Sequence, residues 1–299
     1  MPKLRIGGIL SIVCFCVLSM ALAWAVALPL WRGDGINDAR LPGIATAMMF
    51  TPTVAALMIA IAERRVKSFP ADVGLWPIKR PGKFLIALVL SYMIPLALIL
   101  QAPLVGTWLG VFPGDLESFT VLHFVSGEAG PAKYLLGQAG VIVIASLFNT
   151  LFALGEEVGW RGWLWVRLQS YGQLPAILIS GAIWGAWHAP LVLLGYNYPM
   201  AKGPWGVLAM CGMCIVFGAF LGWLRTYSDS VWPTALAHGA FNASAGLVSL
   251  FMVLGVPLDA TKGSILGWSG WILPGLVIAV MISFGAFKQQ RTKNLSPLR

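Results

Sequence analysis

The chain has 299 residues, of which 58% are hydrophobic and only 10% are charged, and its mean hydropathy is +0.81. This composition excludes an ordinary soluble domain and is typical of an integral membrane protein. The formal net charge of +9 follows from the placement of lysine and arginine around membrane spans, so it does not indicate a nucleic-acid partner.

Eight windows are long and apolar enough to cross a membrane, since a span needs about 20 mainly apolar residues. In chain order they fall near residues 6–31, 41–62, 84–104, 134–157, 172–194, 204–224, 231–254 and 268–287. Each is predicted to be a helix, because lipid-exposed strands or loops would leave backbone N–H and C=O groups without partners. The predicted fold is an all-α, multi-pass bundle of about eight transmembrane helices in the cell membrane.

The basic residues predict an orientation in which both termini are cytoplasmic. With that topology the inner segments hold fifteen of the 20 basic residues, and the outer segments hold the other five. The inner set is Lys3, Arg5, Arg64, Arg65, Lys67, Lys79, Arg80, Lys83, Arg161, Arg167, Arg225, Lys288, Arg291, Lys293 and Arg299. The outer set is Arg32, Arg40, Lys133, Lys202 and Lys262. Such an imbalance is the positive-inside pattern of membrane proteins.

We divide the chain into three parts. Residues 1–133 hold three predicted spans, a basic cytoplasmic loop and the longest outer loop, which is rich in glycine and proline. Residues 134–250 hold four spans and the polar motifs described next. Residues 251–299 hold the last span and a basic cytoplasmic tail.

The first polar motif is a pair of glutamates, Glu156 and Glu157, at the end of a long apolar run. A charged side chain in a span costs about 2.5 to 3.5 kcal/mol on insertion scales, so it indicates a functional site unless it has reached the interface. Glu157 and Arg161 are four residues apart and can form an ion pair on one helix face. Glu156 is turned about 100° away and stays free, while Gly155 and Gly159 allow a neighbouring helix to approach closely.

Two later spans carry the other polar intrusions. Trp184 and His188 are four residues apart on one predicted helix, and His238 and Asn242 are four apart on another. A single buried histidine is more often a satisfied core residue than a functional one. A free carboxylate, two imidazoles and a carboxamide in the same group of spans favour a common site.

These residue types suit the hydrolysis of an amide bond. A glutamate with a histidine can activate water as a general base, and an imidazole with a carboxamide can donate hydrogen bonds to an oxyanion. Glu156, His188 and His238 also form a ligand set found in catalytic zinc sites. The HExxH signature is absent from the sequence, so a divalent metal such as zinc and a metal-free, glutamate-dependent mechanism both stay open.

The ordered set Glu156-Glu157-x-x-x-Arg161, Trp184-x-x-x-His188 and His238-x-x-x-Asn242 resembles the three-motif signature of the CPBP intramembrane proteases. This family includes the type II CAAX prenyl endopeptidases and bacteriocin-processing enzymes. The resemblance covers about 110 residues from Tyr134 to Gly246, on an eight-helix bundle like that of the family. One departure is visible: the second motif commonly begins with phenylalanine, where this chain has Trp184.

The resemblance implies a role for each motif residue. Glu156 and His188 are expected to activate water, and His238 and Asn242 are expected to stabilise the oxyanion. Glu157 and Arg161 are expected to hold the site together. The implied substrate is a membrane-anchored protein or peptide, with prenylated CAAX-type proteins as one class, and kinship with bacterial members points to a bacterial inner membrane.

Two other functions are compatible with buried polar groups in a bundle. One is a nonproteolytic membrane binding or bacteriocin-immunity protein, although all three motifs are intact. The other is a proton-coupled transporter, which is less expected because the sequence has no inverted repeat or paired half-helices. If the enzyme interpretation holds, Glu156 is expected to face a cavity open to the cytoplasm, because it lies near the inner end of its predicted span.

Overall fold

The computed structural model describes residues 7–201 and 203–288, and it confirms the all-α membrane fold. In chain order the α-helices of these residues are α1 (Gly7–Trp31), α2 (Leu41–Met49), α3 (Thr51–Ala62), α4 (Phe69–Asp72), α5 (Pro81–Trp108), α6 (Thr120–Ser126), α7 (Pro131–Glu157), α8 (Trp165–Leu168), α9 (Gln173–Trp187), α10 (Ala189–Val192), α11 (Pro204–Ser228), α12 (Trp232–Ser244) and α13 (Ile272–Ser283). A π-helical segment, Val158–Leu164, joins α7 to α8.

Five helical segments of the described chain are long and apolar enough to cross a membrane. They are Gly8–Trp31, Leu41–Ala62, Pro81–Trp108, Pro131–Tyr171 and Pro204–Ser228. The other three expected spans are shorter: Gln173–Trp187 and Trp268–Ser283 are apolar but under 18 residues, and α12 continues as a 3-10 helix over Ala245–Phe251. The prediction of eight complete spans therefore stays a prediction.

The fourth span is longer than the sequence analysis expected. The predicted range 134–157 ends at the glutamate pair, but the helix runs from Pro131 to Tyr171. It continues because the aromatic and apolar residues after Glu157 are buried inside the bundle, so they extend the helix and do not form an interfacial belt. Arg161, counted above among the cytoplasmic residues, is only 1% exposed.

Proline accounts for the break in the fifth predicted span. The range 172–194 was expected to be one helix, but α9 ends at Trp187 and α10 begins at Ala189. Pro190 has no N–H to donate, and its ring clashes with the carbonyl four residues earlier in a continuous helix. His188 therefore lies in the turn between the two helices.

One end of the bundle, which we call the basic end, carries the connections 63–80, 169–172 and 229–231. Hydrogen bonds link its parts: Ser11 donates to Glu63 Oε1 at 2.6 Å, and Trp232 Nε1 donates to the Leu75 carbonyl at 3.1 Å. Gln169 donates to the Phe287 carbonyl at 3.1 Å. The first described helix, α1, thus begins at the basic end, and the last, α13, ends there. Five basic residues predicted for the two tails lie outside the described residues: Lys3, Arg5, Arg291, Lys293 and Arg299. Lys202, predicted for an outer segment, lies outside them too.

The far end of the bundle carries the connections 32–40, 109–130, 188–203 and 245–267. Trp31 Nε1 donates to the Pro190 carbonyl at 2.9 Å, and the Tyr198 hydroxyl donates to the Leu266 carbonyl at 3.0 Å. In the 109–130 connection, the Asp115 carboxylate accepts hydrogen bonds from the backbone N–H groups of Thr120 and Ser118. These bonds lower the pKa of its carboxyl to about 2. Which end faces the cytoplasm remains the prediction made from the basic residues.

Glycines bring the helices that carry the polar motifs into backbone contact. A Cβ at Gly159 would lie 2.5 Å from Pro52 Cβ, so the long helix packs directly on the start of α3. A Cβ at Gly239 would lie 2.7 Å from the Ser146 carbonyl oxygen, so α12 packs directly on α7. Gly181 and Gly185 meet the backbone of α11 in the same way, since small residues let two helices approach closely.

Candidate active site

A cavity of about 410 Å³ lies between the helices that carry the three motifs. Four of the six predicted site residues line it: Glu156, His188, His238 and Asn242. Most of the other lining residues are apolar, with methionine, leucine, isoleucine and phenylalanine prominent. The fold therefore brings the polar side chains of α7, of the turn after α9 and of α12 to one cavity, as their shared occurrence in these spans predicted.

Glu156 is 3% exposed and makes one hydrogen bond to a side chain. Trp184 Nε1 donates to Glu156 Oε2 at 2.7 Å, and both groups are buried. The bond holds the carboxylate in place through Oε2, and Oε1 is left to face other partners such as water. A carboxylate held in this way at a cavity wall can accept a proton from water.

Glu157 lies behind the cavity and joins two motifs. Its Oε1 accepts hydrogen bonds from Arg161 NH1 and from His238 Nδ1, both at 2.9 Å. Glu157 is 0% exposed, so the ion pair with Arg161 is fully buried. The predicted four-residue pairing is therefore present, and the same carboxylate also orients His238, the histidine of the third motif.

His188 is oriented by the backbone of α9, the helix that precedes it. Its Nδ1 lies 2.9 Å from the Trp184 carbonyl oxygen, which can only accept a hydrogen bond. The proton of a neutral His188 ring is therefore on Nδ1, and Nε2 keeps its lone pair. This is the tautomer that a general base at the cavity wall requires.

Trp184 connects the three motifs, a role that its four-residue spacing from His188 does not reveal. Besides its bond to Glu156, its ring lies 4.0 Å from the Arg161 guanidinium carbon and 5.4 Å from the His238 ring. The signal that could have identified this role is the indole N–H, because tryptophan can donate a hydrogen bond and phenylalanine cannot.

Asn149 is a further polar residue of the cavity and lies outside the three motifs. It lies on α7 seven residues before Glu156, which is two helical turns along the same face, and it lines the same cavity. Its polarity within the apolar run "IVIASLFNTLFA" could have marked it, since polar residues inside spans are rare.

The alternative zinc site is not supported by the arrangement of these donors. A catalytic zinc site needs about three protein ligands converging on one point. Within residues 7–201 and 203–288, no group of three histidine, cysteine, aspartate or glutamate side chains could hold a metal ion. The predicted set of Glu156, His188 and His238 therefore does not fit a metal as arranged.

The cavity extends toward the far end of the bundle. Tyr196, Asn197 and Leu266, all from far-end connections, line it, and no lining residue comes from the basic-end connections. The expected opening to the cytoplasm assumed that Glu156 lies near the inner end of its span. Because the helix continues to Tyr171, Glu156 instead lies about 20 Å along the helix from the basic end.

Comparisons with known proteins agree with the motif analysis. Residues 137–244 match the family described as type II CAAX prenyl endopeptidase Rce1-like, and all six predicted site residues fall inside that range. The chain is also similar to the CAAX prenyl protease 2 of Methanococcus maripaludis, with 41% identity over 49 residues. That match spans 16% of this chain and 18% of the relative, so the chain spans about a fifth of the relative's length in the alignment.

Proposed function

We propose that this chain, whose residues 137–244 match the type II CAAX prenyl endopeptidase Rce1-like family, is an intramembrane endopeptidase. It would hydrolyse peptide bonds of membrane-associated proteins or peptides, of which prenylated CAAX-type proteins are one class. The observation that carries the proposal is the shared cavity: Glu156, His188, His238 and Asn242 line one space, and the Glu157–Arg161 pair lies directly behind it.

In the proposed reaction, Glu156 takes one proton from a water molecule, to which the His188 ring also hydrogen-bonds, as the water oxygen attacks the peptide carbonyl carbon. The carbonyl π bond opens to an oxyanion, and the tetrahedral species then collapses. The C–N bond breaks, and the proton taken from water passes to the leaving amine. The orientation of His188 Nδ1 toward the Trp184 carbonyl supports this assignment, because it leaves Nε2 available to accept a hydrogen bond from that water.

His238 and Asn242 are proposed to donate hydrogen bonds to the oxyanion. His238 Nδ1 is engaged with Glu157, so its donor toward the cavity is Nε2, which carries a proton in the imidazolium form. The charges of the site then cancel: the carboxylates of Glu156 and Glu157 balance the Arg161 guanidinium and the His238 imidazolium. This balance supports the proposal, because buried charges are tolerated only when they are compensated.

The test compares protein termini in cells that express wild type, Glu156→Gln or Glu128→Gln at matched abundance. Glu128→Gln is the matched control, because Glu128 is exposed in the 109–130 connection and does not line the cavity. Quantitative mass spectrometry of N- and C-terminal peptides should show new termini with wild type and the control only. Termini that persist with Glu156→Gln would overturn the assigned role of Glu156, and identical profiles in all three strains would favour a nonproteolytic binding protein.

A further inference from the structure

A second cavity, of about 820 Å³, lies between α5 and α7 on the outside of the bundle, and we call it the α5–α7 groove. Its lining is mainly apolar, and Val89, Met93 and Val143 are exposed where they line it. Both helices pack against α12, to which α5 is joined by a hydrogen bond of 2.7 Å from the Ser91 hydroxyl to the Pro233 carbonyl. The groove between them is therefore open to the hydrocarbon of the bilayer.

Two aromatic rings from far-end segments of the chain line the groove and have fixed positions. The Phe119 and Phe251 rings contact each other with centroids 6.1 Å apart. Phe119 has a φ of 47°, a left-handed conformation that a bulky residue keeps only when its surroundings impose it. The Asp115 carboxylate imposes it here, because it accepts the backbone N–H groups of Ser118 and Thr120, the two neighbours of Phe119. The groove is therefore a preformed part of the fold.

The length of the groove indicates what kind of molecule fills it. Val89 and Leu100 both line it on α5, and the helix rises about 16 Å between them at 1.5 Å per residue. A transmembrane helix of a second copy would need a surface about 30 Å long, whereas the hydrocarbon of one leaflet is about half as thick. The groove therefore fits a lipid chain that enters from one leaflet better than it fits a protein helix.

We propose that the α5–α7 groove binds an acyl chain of a glycerophospholipid from the leaflet at the far end of the bundle. Gln138 of α7 lines the groove among apolar side chains, and its carboxamide can donate a hydrogen bond to an ester carbonyl of the lipid. Lys133 and Tyr134 lie about one turn earlier on α7, and these residue types are common at the membrane interface. Gln138 thus lies just below the interface, where a phospholipid carries its ester groups.

A lipid in the groove would support one wall of the active-site cavity. The 3-10 segment Ala245–Phe251 separates the two spaces. Leu247, Leu250 and Phe251 line the groove, whereas Ala245 and Val248 line the active-site cavity. The acyl chain fills the groove side of this segment, so its loss should destabilise the protein.

The experiment measures phospholipid binding to the purified, delipidated chain in detergent. Palmitoyl-oleoyl phosphatidylglycerol is the probe, and native mass spectrometry counts the lipids bound while thermal unfolding reports stability. Ala139→Trp places an indole in the groove, which Ala139 lines. Leu136→Trp is the matched control, because Leu136 lies on the same helix, is 76% exposed and points away from the groove lining. Gln138→Leu keeps the groove open and removes only the carboxamide.

We expect wild type and Leu136→Trp to bind one phospholipid roughly tenfold more tightly than Ala139→Trp does. Saturating lipid should raise their Tm by about 5 °C or more, and it should leave the Tm of Ala139→Trp unchanged. Gln138→Leu should bind the lipid about threefold more weakly than wild type, as the loss of one hydrogen bond predicts. Equal binding by wild type, Ala139→Trp and Gln138→Leu would overturn the inference, because the lipid would then only surround the protein. Neither readout uses peptide hydrolysis, so the result is independent of the proposed endopeptidase function.

Discussion

At the scale of single residues, Trp184 distinguishes this site from the motif pattern it resembles. The sequence analysis predicted which side chains would meet, because residues four apart on a helix share a face. It did not predict the bond between Trp184 and Glu156, because the two residues are 28 positions apart and meet only through tertiary packing. Such a contact depends on how α9 packs against α7, which local spacing does not encode.

Replacing Trp184 by phenylalanine should slow the chemical step. The Trp184→Phe variant keeps an aromatic ring beside Arg161 but loses the N–H that holds Glu156. A hydrogen bond to a charged group contributes about 1.5 to 3 kcal/mol, so we expect kcat to fall roughly 10- to 100-fold with little change in KM. Kinetics on a substrate identified by the terminal-peptide comparison would measure both constants.

Trp165→Phe is the matched control for that variant. Trp165 is also buried and donates its indole N–H, but to Thr226 Oγ1 at 3.1 Å, away from the cavity. It should lose some thermal stability and keep its kcat. If Trp184→Phe had wild-type kcat, the bond to Glu156 would have no part in the reaction.

The buried Glu157–Arg161 pair should separate stability from activity. Arg161→Met removes the guanidinium from the fully buried Glu157 carboxylate and leaves it with His238 alone, and breaking a buried pair in this way costs about 3 to 5 kcal/mol. The double variant Glu157→Met/Arg161→Met removes both charges and should regain most of that stability. It should stay inactive, because His238 loses the carboxylate that orients its Nδ1.

Thermal unfolding in detergent and a cleavage assay would be run on both variants. A double variant as unstable as Arg161→Met would show that packing, and not the unpaired charge, dominates at this position. A double variant with wild-type activity would show that His238 needs no orienting partner.

At the scale of whole elements, the contact between the long helix and α3 positions the glutamate pair. A Cβ at Gly159 would meet both the ring and the backbone of Pro52, and neither can move aside easily. We therefore expect Gly159→Ala to destabilise the protein by roughly 1 to 3 kcal/mol, as overpacking does. Activity should fall with it, because Glu156 and Glu157 lie on the same continuous helix.

Gly140→Ala is the control, because Gly140 lies on the same helix with no atom within 4 Å of its added Cβ. There alanine should be neutral or stabilise the helix by about 0.5 to 1 kcal/mol. Thermal unfolding of the two variants side by side measures the difference. Equal stability of both would mean that the helix can shift away from α3 without penalty.

Hydropathy predicted where helices occur better than where they end. The windows near 6–31, 41–62 and 204–224 correspond closely to apolar helices in the structure. The predicted end of the fourth span was wrong, because glutamates followed by tryptophans are typical of a membrane interface. In this structure Glu157 pairs with Arg161, Glu156 accepts a hydrogen bond from Trp184, and the tryptophans pack into the core. The break at His188 follows from Pro190, and a hydropathy average does not register a single proline.

At the scale of the whole molecule, the short α9 places irregular backbone inside the membrane. Its 15 residues span about 22 Å at 1.5 Å per residue, which is less than the roughly 30 Å hydrocarbon core. The chain beyond Trp187 therefore begins its turn while still at membrane depth. Irregular backbone is tolerated there only if protein or a water-filled cavity surrounds it, and His188 and Leu191 line such a cavity.

Water in this cavity should be visible in the exchange of backbone amides. In lipid nanodiscs, amides of residues 188–198 and 242–251 should exchange with deuterium at least tenfold faster than those of 209–221 in α11, which are mostly buried and lie in one continuous helix. Peptides 85–100 of the lipid-exposed α5 serve as a control, because they are helical and face the bilayer, so they should exchange as slowly as α11. Equally slow exchange at 188–198 would mean that the cavity is dry, and hydrolysis at Glu156 would then lack its second substrate.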